Sequence, residues 1–220
     1  MVGAGACAIG AVYLHLPALH YVAKPLATLA CLMIALGPAP ARSARYQRGV
    51  VAALALGLVG DVLLMLPNEA LFPAGLGLFL VGHVAYLWAM TDGVRLFQRI
   101  QPAIYLGLLV ALLLATLLKA VEPTLRAPVA LYMIVLATMA AQARVRALVQ
   151  PTDGGARLAA TGAMLFMVSD ALMGVERFVA PFPLASIAIL ATYWGAQWSL
   201  ASSVQATRLP DTTEAAPRTA

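Results

Sequence analysis

Charge is what this sequence has least of. Only 10% of its 220 residues are Asp, Glu, Lys or Arg, against 62% hydrophobic residues, which leaves too few polar side chains to cover a soluble globule. Cysteine is nearly absent: Cys7 and Cys31 lie in separate apolar runs without CxxC spacing, which argues against a disulfide framework and a thiolate metal site. Only three histidines occur, with no HxxxH or HxxEH pattern, so a metal centre is disfavoured as well. There is no GxSxG, P-loop or Rossmann fingerprint, and Ser169 has no evident base beside it. The basic residues outnumber the acidic ones by 14 to 9, yet they stand singly or in small groups between apolar runs. That is a topology signal rather than a nucleic-acid-binding stripe.

What remains is long apolar stretches, so the expected fold is all-α, a polytopic membrane helix bundle. A spanning helix needs about 20 mainly apolar residues. Eight segments qualify: Val2–Leu16, Tyr21–Gly37, Gly49–Leu66, Leu71–Met90, Pro102–Leu118, Leu125–Ala143, Leu158–Val175 and Phe182–Val204. Prolines 17, 25, 38, 67, 73, 102, 128 and 181 are expected at or beside span ends, where a missing N–H does least damage. The N-terminus lacks the basic region of a cleaved signal peptide and reads as a short retained span.

Charge tests the count. With eight spans, ten basic residues (Arg42, Arg45, Arg48, Arg95, Arg99, Arg144, Arg146, Arg157, Arg208, Arg218) fall on one side and four (Lys24, Lys119, Arg126, Arg177) on the other. The positive-inside rule then places both termini in the cytoplasm. The Arg- and Ala-rich composition suits a bacterial protein, hence an inner-membrane location. Residues 1–206 form a single eight-helix domain in this reading, and 207–220, polar with two prolines, a disordered tail. The loop arginines serve topology.

Two residues break the apolar pattern. Asp61, in LGLVGDVLLM, and Asp170, in MLFMVSDALM, each stand inside a span. An ionised Asp at a helix centre costs roughly 2.5–3.5 kcal/mol on insertion scales, so such a residue is paired, protonated or beside a wet cavity. Both lie on spans running the same way, about six residues before the same end, hence ~9 Å deep at 1.5 Å per residue. Their separation is about half the chain, which suggests a parallel duplication of two four-helix halves. Gly57 and Gly60 let a neighbouring helix approach beside Asp61.

Further candidates cluster by face. Phe79, His83 and Tyr86 recur at i, i+4, i+7, and Tyr193 and Gln197 at i, i+4; Tyr132 lies in the outer half of its span. For these, interhelical hydrogen bonding competes with a direct role. Lys24 opens its span next to Pro25, as a snorkelling lysine or a charge for a phosphate headgroup. Glu176 and Arg177 are expected to pair at the surface.

The order and spacing of several segments resemble the YhhN or lysoplasmalogenase family of membrane proteins. The carrying residues are Lys24-Pro25, GDVLLM at Gly60–Met65, FPAGLGLFLVGHVAY at Phe72–Tyr86, Tyr132-Met133, GAMLFMVSD at Gly162–Asp170, and ATYWGAQW at Ala191–Trp198. The resemblance implies an eight-helix hydrolase that cleaves the vinyl ether bond of a lysophospholipid substrate, a lysoplasmalogen, among membrane lipids and without a cofactor. A vinyl ether needs a general acid to protonate carbon. Asp61 and Asp170 are expected as the acid/base pair, with the assignment open and His83 beside them. Lys24, Tyr86, Tyr132, Tyr193 and Gln197 would bind substrate or position water. The alternative is a proton-coupled lipid or small-molecule transporter using the same acids; parallel halves and the lack of a Gly/Pro-broken helix at the acids count against it.

Overall fold

The apolar runs fold as helices. In the computed structural model of the chain, which describes residues 17–37 and 43–205, the described residues form seven α-helices and no strand. They are α1 (Pro17–Ala35), α2 (Ala44–Met65), α3 (Phe72–Met90), α4 (Gln101–Ala120), α5 (Pro123–Val149), α6 (Gly154–Phe178) and α7 (Ala185–Ser202), with a 3-10 turn at Glu69–Leu71 leading into α3. These correspond to the second through eighth expected spans. The first, Val2–Leu16, and the tail from 207 lie outside the described residues.

Local chemistry sets the starts. Ser43 caps α2 by accepting from the Arg45 and Tyr46 amides, and Asp153 caps α6 by accepting from Gly155. Pro stands in the first turn of α3, α4 and α5, where its missing N–H is harmless. Pro25 and Pro128, expected at span ends, are instead inside α1 and α5. A helix inside a bundle tolerates the one carbonyl bond that each proline removes.

The helices also run further than the apolar stretches at the arginine-rich end. Arg45 and Arg48 lie in α2, Arg144 and Arg146 in α5, and Arg157 in α6, since Arg is a good helix former and these turns need no lipid contact. Two of these arginines do more than mark topology. Arg45 donates to Thr91 Oγ1 at 2.8 Å and stacks over Trp88; buried Arg146 donates to the Asp92 carbonyl and lies 4.8 Å from the Tyr46 ring centre. Gln142, fully buried, accepts from the Phe97 amide and clamps the α3–α4 connection to α5.

Six helices form a ring in the order α1–α2–α3–α5–α6–α7, closed by α7 against α1, while α4 packs outside it against α5 and, more lightly, α6. Across the ring α1 stands opposite α5, α2 opposite α6 and α3 opposite α7. The two tightest pairs, α2–α3 and α6–α7, each have a glycine where a methyl group would collide with the neighbour: Gly49 against the Ala85 carbonyl at 2.9 Å, Gly162 against the Ala196 carbonyl at 2.9 Å.

The centre of the ring is aromatic. Phe166 of α6 meets Phe79, His83, Tyr86 and Tyr193 edge to face. The outside is apolar and exposed, as at Met33, Tyr105, Leu108 and Leu112. Among the described residues five elements, α2, α3 with its 3-10 turn, α4, α5 and α6, are long and apolar enough to cross a membrane. An apolar exterior on helices of that length identifies an integral, multi-pass membrane protein.

Candidate active site

Asp61 is held from three directions. Its Oδ1 lies 3.0 Å from Lys24 Nζ, and its Oδ2 accepts from Thr28 Oγ1 at 3.0 Å and Tyr193 OH at 2.7 Å. Lys24 and Thr28 share one face of α1 at i, i+4, so a single helix supplies both a cation and a hydroxyl. Tyr193 reaches in from α7, and Gln197 Nε2 in turn donates to its hydroxyl at 2.5 Å. Asp61 is 1% exposed, and a carboxylate so buried requires this enclosure of donors.

Asp170 has a different setting. Only Tyr132 OH, from α5, donates to it, at 2.5 Å, and no cation pairs with it among the described residues. The two acids line one small cavity together with Lys24, Phe79, Tyr132 and Tyr193. They therefore share a level in the bundle, although α6 continues eight residues beyond Asp170 and α2 only four beyond Asp61. Each acid takes a hydroxyl donor from the helix before it in the ring: Thr28 of α1 serves Asp61 of α2, and Tyr132 of α5 serves Asp170 of α6.

Asp170 also opens on a second, larger space. A largely apolar groove between α4, α5 and α6 is lined by Leu113, Leu117, Val129, Met133 and Asp170, with Phe72 and Arg177 at its end. Asp170 is thus the residue common to the polar cavity and the groove.

His83, Tyr86 and Gln197 line a closed space behind the acid cavity, bounded also by Phe79 and Phe166. The ring of His83 stands edge-on to Tyr132, with centroids 5.2 Å apart, and to Phe166 at 4.7 Å. Neither of its nitrogens makes a hydrogen bond among the described residues. The Tyr86 hydroxyl and Gln197 Oε1 are likewise buried without partners. His83 and Tyr86 consequently sit one layer back from the two carboxyls, whereas Lys24, Tyr132 and Tyr193 touch them.

Lys24 does not open its helix as expected. α1 begins at Pro17, so Lys24 lies two turns inside it and its ammonium is engaged by Asp61 instead of standing alone at an interface. Arg177 pairs with Glu69 of the 3-10 turn rather than with its neighbour Glu176. Adjacent residues on a helix diverge by 100° around the axis, which carries Glu176 away from the partner Arg177 finds. Ser169 lines the acid cavity but gives its hydroxyl proton to the Ile189 carbonyl rather than to either acid. Among the described residues no three His, Cys, Asp or Glu side chains gather closely enough to hold a metal ion.

The YhhN family profile matches residues 19–204, a stretch that includes every side chain of the acid cavity. The chain belongs to the YhhN family. Among its relatives, the lysoplasmalogenase TMEM86B of Homo sapiens is 32% identical over 172 residues, 77% of this chain and 69% of that protein. The Rattus norvegicus protein of the same name is 33% identical over 186 residues, covering 82% and 70%. The Bos taurus lysoplasmalogenase TMEM86A is 29% identical over 163 residues, covering 71% and 65%. No solved structure matches the chain.

Two further residues take part in this YhhN protein's site, Thr28 and Phe166. Thr28 had a usable signal, since it follows Lys24 by one helical turn. Phe166, the centre of the aromatic cluster, had none, because a phenylalanine in an apolar run looks the same at a core and at a lipid face.

Proposed function

We propose that the chain hydrolyses the vinyl ether bond of a lysoplasmalogen, releasing a fatty aldehyde and a glycerophospho-base. The observation that carries this reading is the unequal setting of two carboxyls on one cavity. Asp61, with a cation and two hydroxyl donors, is suited to hold negative charge; Asp170, with a single donor, is suited to carry a proton. Sequence similarity to proteins named lysoplasmalogenase supports the same conclusion.

The chemistry closes on these residues. Asp170 gives its proton to the β-carbon of the vinyl ether, breaking the C=C π bond and leaving an oxocarbenium ion. The Asp61 carboxylate stabilises that cation and takes a proton from the water that adds to the α-carbon. The hemiacetal then breaks its carbon–oxygen bond to the glycerol. Its hydroxyl proton returns to Asp170, and the proton on Asp61 passes to the departing glycerol oxygen. Both acids end as they began.

Around them, Lys24 balances the charge of Asp61 and presents its remaining N–H groups to the cavity. Tyr132 aims Asp170, Tyr193 aims Asp61, and Gln197 fixes the Tyr193 hydroxyl. His83 and Tyr86 act through packing, His83 by setting the edge of the Tyr132 ring. The same reading takes Val2–Leu16 as an eighth span, both termini as cytoplasmic and the bilayer as a bacterial inner membrane, following the ten-to-four distribution of basic residues.

The test is purified protein given alkenyl, alkyl and acyl lysophospholipids side by side, without a membrane gradient. Aldehyde from the alkenyl lipid alone is expected. Fatty acid from the acyl lipid would contradict the reaction, and gradient-dependent lipid flux without product would indicate a transporter.

A further inference from the structure

Arg177 is one of the few basic residues at the Phe72 end of the bundle, and the acid chemistry gives it no task. It stands on the same face of α6 as Asp170 and Gly174, at i+7 and i+3 of that face, and lines the end of the α4–α5–α6 groove that has Asp170 in its wall. Its guanidinium lies over the Phe72 ring, 4.9 Å from the centroid, and meets Glu69, whose side chain is 80% exposed. An ion pair so open to solvent adds little to stability and exchanges readily for a better anion.

We infer that Arg177 is the phosphate anchor of a single-chain lysophospholipid lying in the α4–α6 seam, with Glu69 as the carboxylate that the phosphate displaces. This rests on the vinyl ether reading and deepens it.

Three observations favour that occupant. The first is reach. Seven residues of α6 separate Asp170 from Arg177, a rise of about 10 Å. In the lipid, seven bonds separate the β-carbon from phosphorus, roughly 9 Å when extended at ordinary bond lengths. A phosphate on Arg177 therefore sets the double bond beside Asp170. The second is the path beyond. Past Asp170, toward the arginine-rich end, a second, mainly apolar cavity lies between α4 and α6, lined by Tyr105, Leu106, Met164 and Leu165, where a hydrocarbon tail would find apolar walls. α4 lies outside the ring and touches α6 only lightly, so a chain can enter between them from the side.

The third is charge. Lys24, the cation that the sequence offers for a phosphate, is already matched by Asp61 inside the bundle. Among the described residues Arg177 is matched only by an exposed carboxylate, and a planar guanidinium is the better bidentate partner for phosphate.

Binding of a non-cleavable alkyl lysophospholipid to the purified full-length protein tests this, read by its displacement of a fluorescent lysolipid. Arg177→Gln should weaken binding about tenfold or more, with Arg177→Lys intermediate. Glu69→Gln breaks the same ion pair from the other side and should leave affinity unchanged or raise it. A purely structural pair would make the two variants behave alike, and that result would overturn the proposal. An alkylglycerol without phosphate should bind the wild type and Arg177→Gln equally; an equal loss for both ligands on substitution contradicts the anchor.

Two further arms separate the alternatives. Weakening by Arg144→Gln with none by Arg177→Gln would place the phosphate at the opposite end of the seam. Inorganic phosphate competing at the concentration of the lipid would mean an anion site without a lipid berth. Arg177-dependent binding of the alkyl lipid with no aldehyde from the alkenyl lipid keeps the anchor and rejects the reaction. Absence of any lysophospholipid binding by the wild type rejects the anchor.

Discussion

Lys24 and Asp61 form a 3.0 Å ion pair across the α1–α2 contact, with side chains 15% and 2% exposed, and the other acid of the cavity, Asp170, has no such partner among the described residues. This asymmetry gives one carboxyl a cation and leaves the other to Tyr132. It also determines what substitutions do to stability, separately from activity.

Lys24→Met leaves Asp61 with two hydroxyl donors and no cation, and should destabilise the protein by about 3–5 kcal/mol, the usual cost of removing one partner of a buried pair. Combining it with Asp61→Asn should recover most of that loss while activity stays abolished. Thermal unfolding of both variants in one detergent checks this, and strictly additive losses would show that the ion pair is not the coupling.

Gly60→Ala should be far more damaging than Gly57→Ala. A methyl group at Gly60 would come within 2.9 Å of the Phe79 ring, which is wedged against Phe166 and Tyr193; at Gly57 the nearest atoms are at 3.5 Å, an ordinary contact. Overpacking of this kind costs about 1–3 kcal/mol and should also move Tyr193 off Asp61, whereas Gly57→Ala should be close to neutral. Unfolding temperature and kcat for the pair give the comparison.

His83→Phe should keep kcat within about tenfold of wild type, since the position holds Tyr132 and Phe166 by ring edges and neither nitrogen has a side-chain partner. His83→Ala should lose more. A loss with Phe as large as that expected for an Asp61 or Asp170 substitution would assign the imidazole a proton-transfer role.

Hydrolysis in deuterium oxide should place one solvent deuteron on carbon 2 of the released aldehyde, which was the β-carbon of the vinyl ether. Rapid reduction of the aldehyde and mass spectrometry read it before exchange intervenes. Aldehyde without that deuteron would show that carbon protonation is not the route.

The sequence was most readable where physics penalises a residue. Asp61 and Asp170 stood out because a carboxylate in an apolar run is costly, and the structure brings them to one cavity. Seven expected spans became helices for the same reason, their apolar length. Helix ends were less legible: Arg45, Arg146 and Arg157 read as loop charges, yet a helix can carry arginines beyond the hydrocarbon. Partners were the least legible. Helical periodicity shows that Lys24 and Thr28 share a face, but which helix that face meets depends on the ring order, and only this places Lys24 on Asp61 and Arg177 on Glu69. The burial of Gln142 and Arg146 follows from the same tertiary arrangement.

The most direct measurement of the central claim is aldehyde release from an alkenyl lysophospholipid by purified Asp170→Asn whose unfolding temperature matches wild type. General-acid catalysis by Asp170 predicts a fall in kcat of about 10²–10⁴-fold with little change in stability, because no cation is left unpaired. A rate near that of the wild type would contradict it.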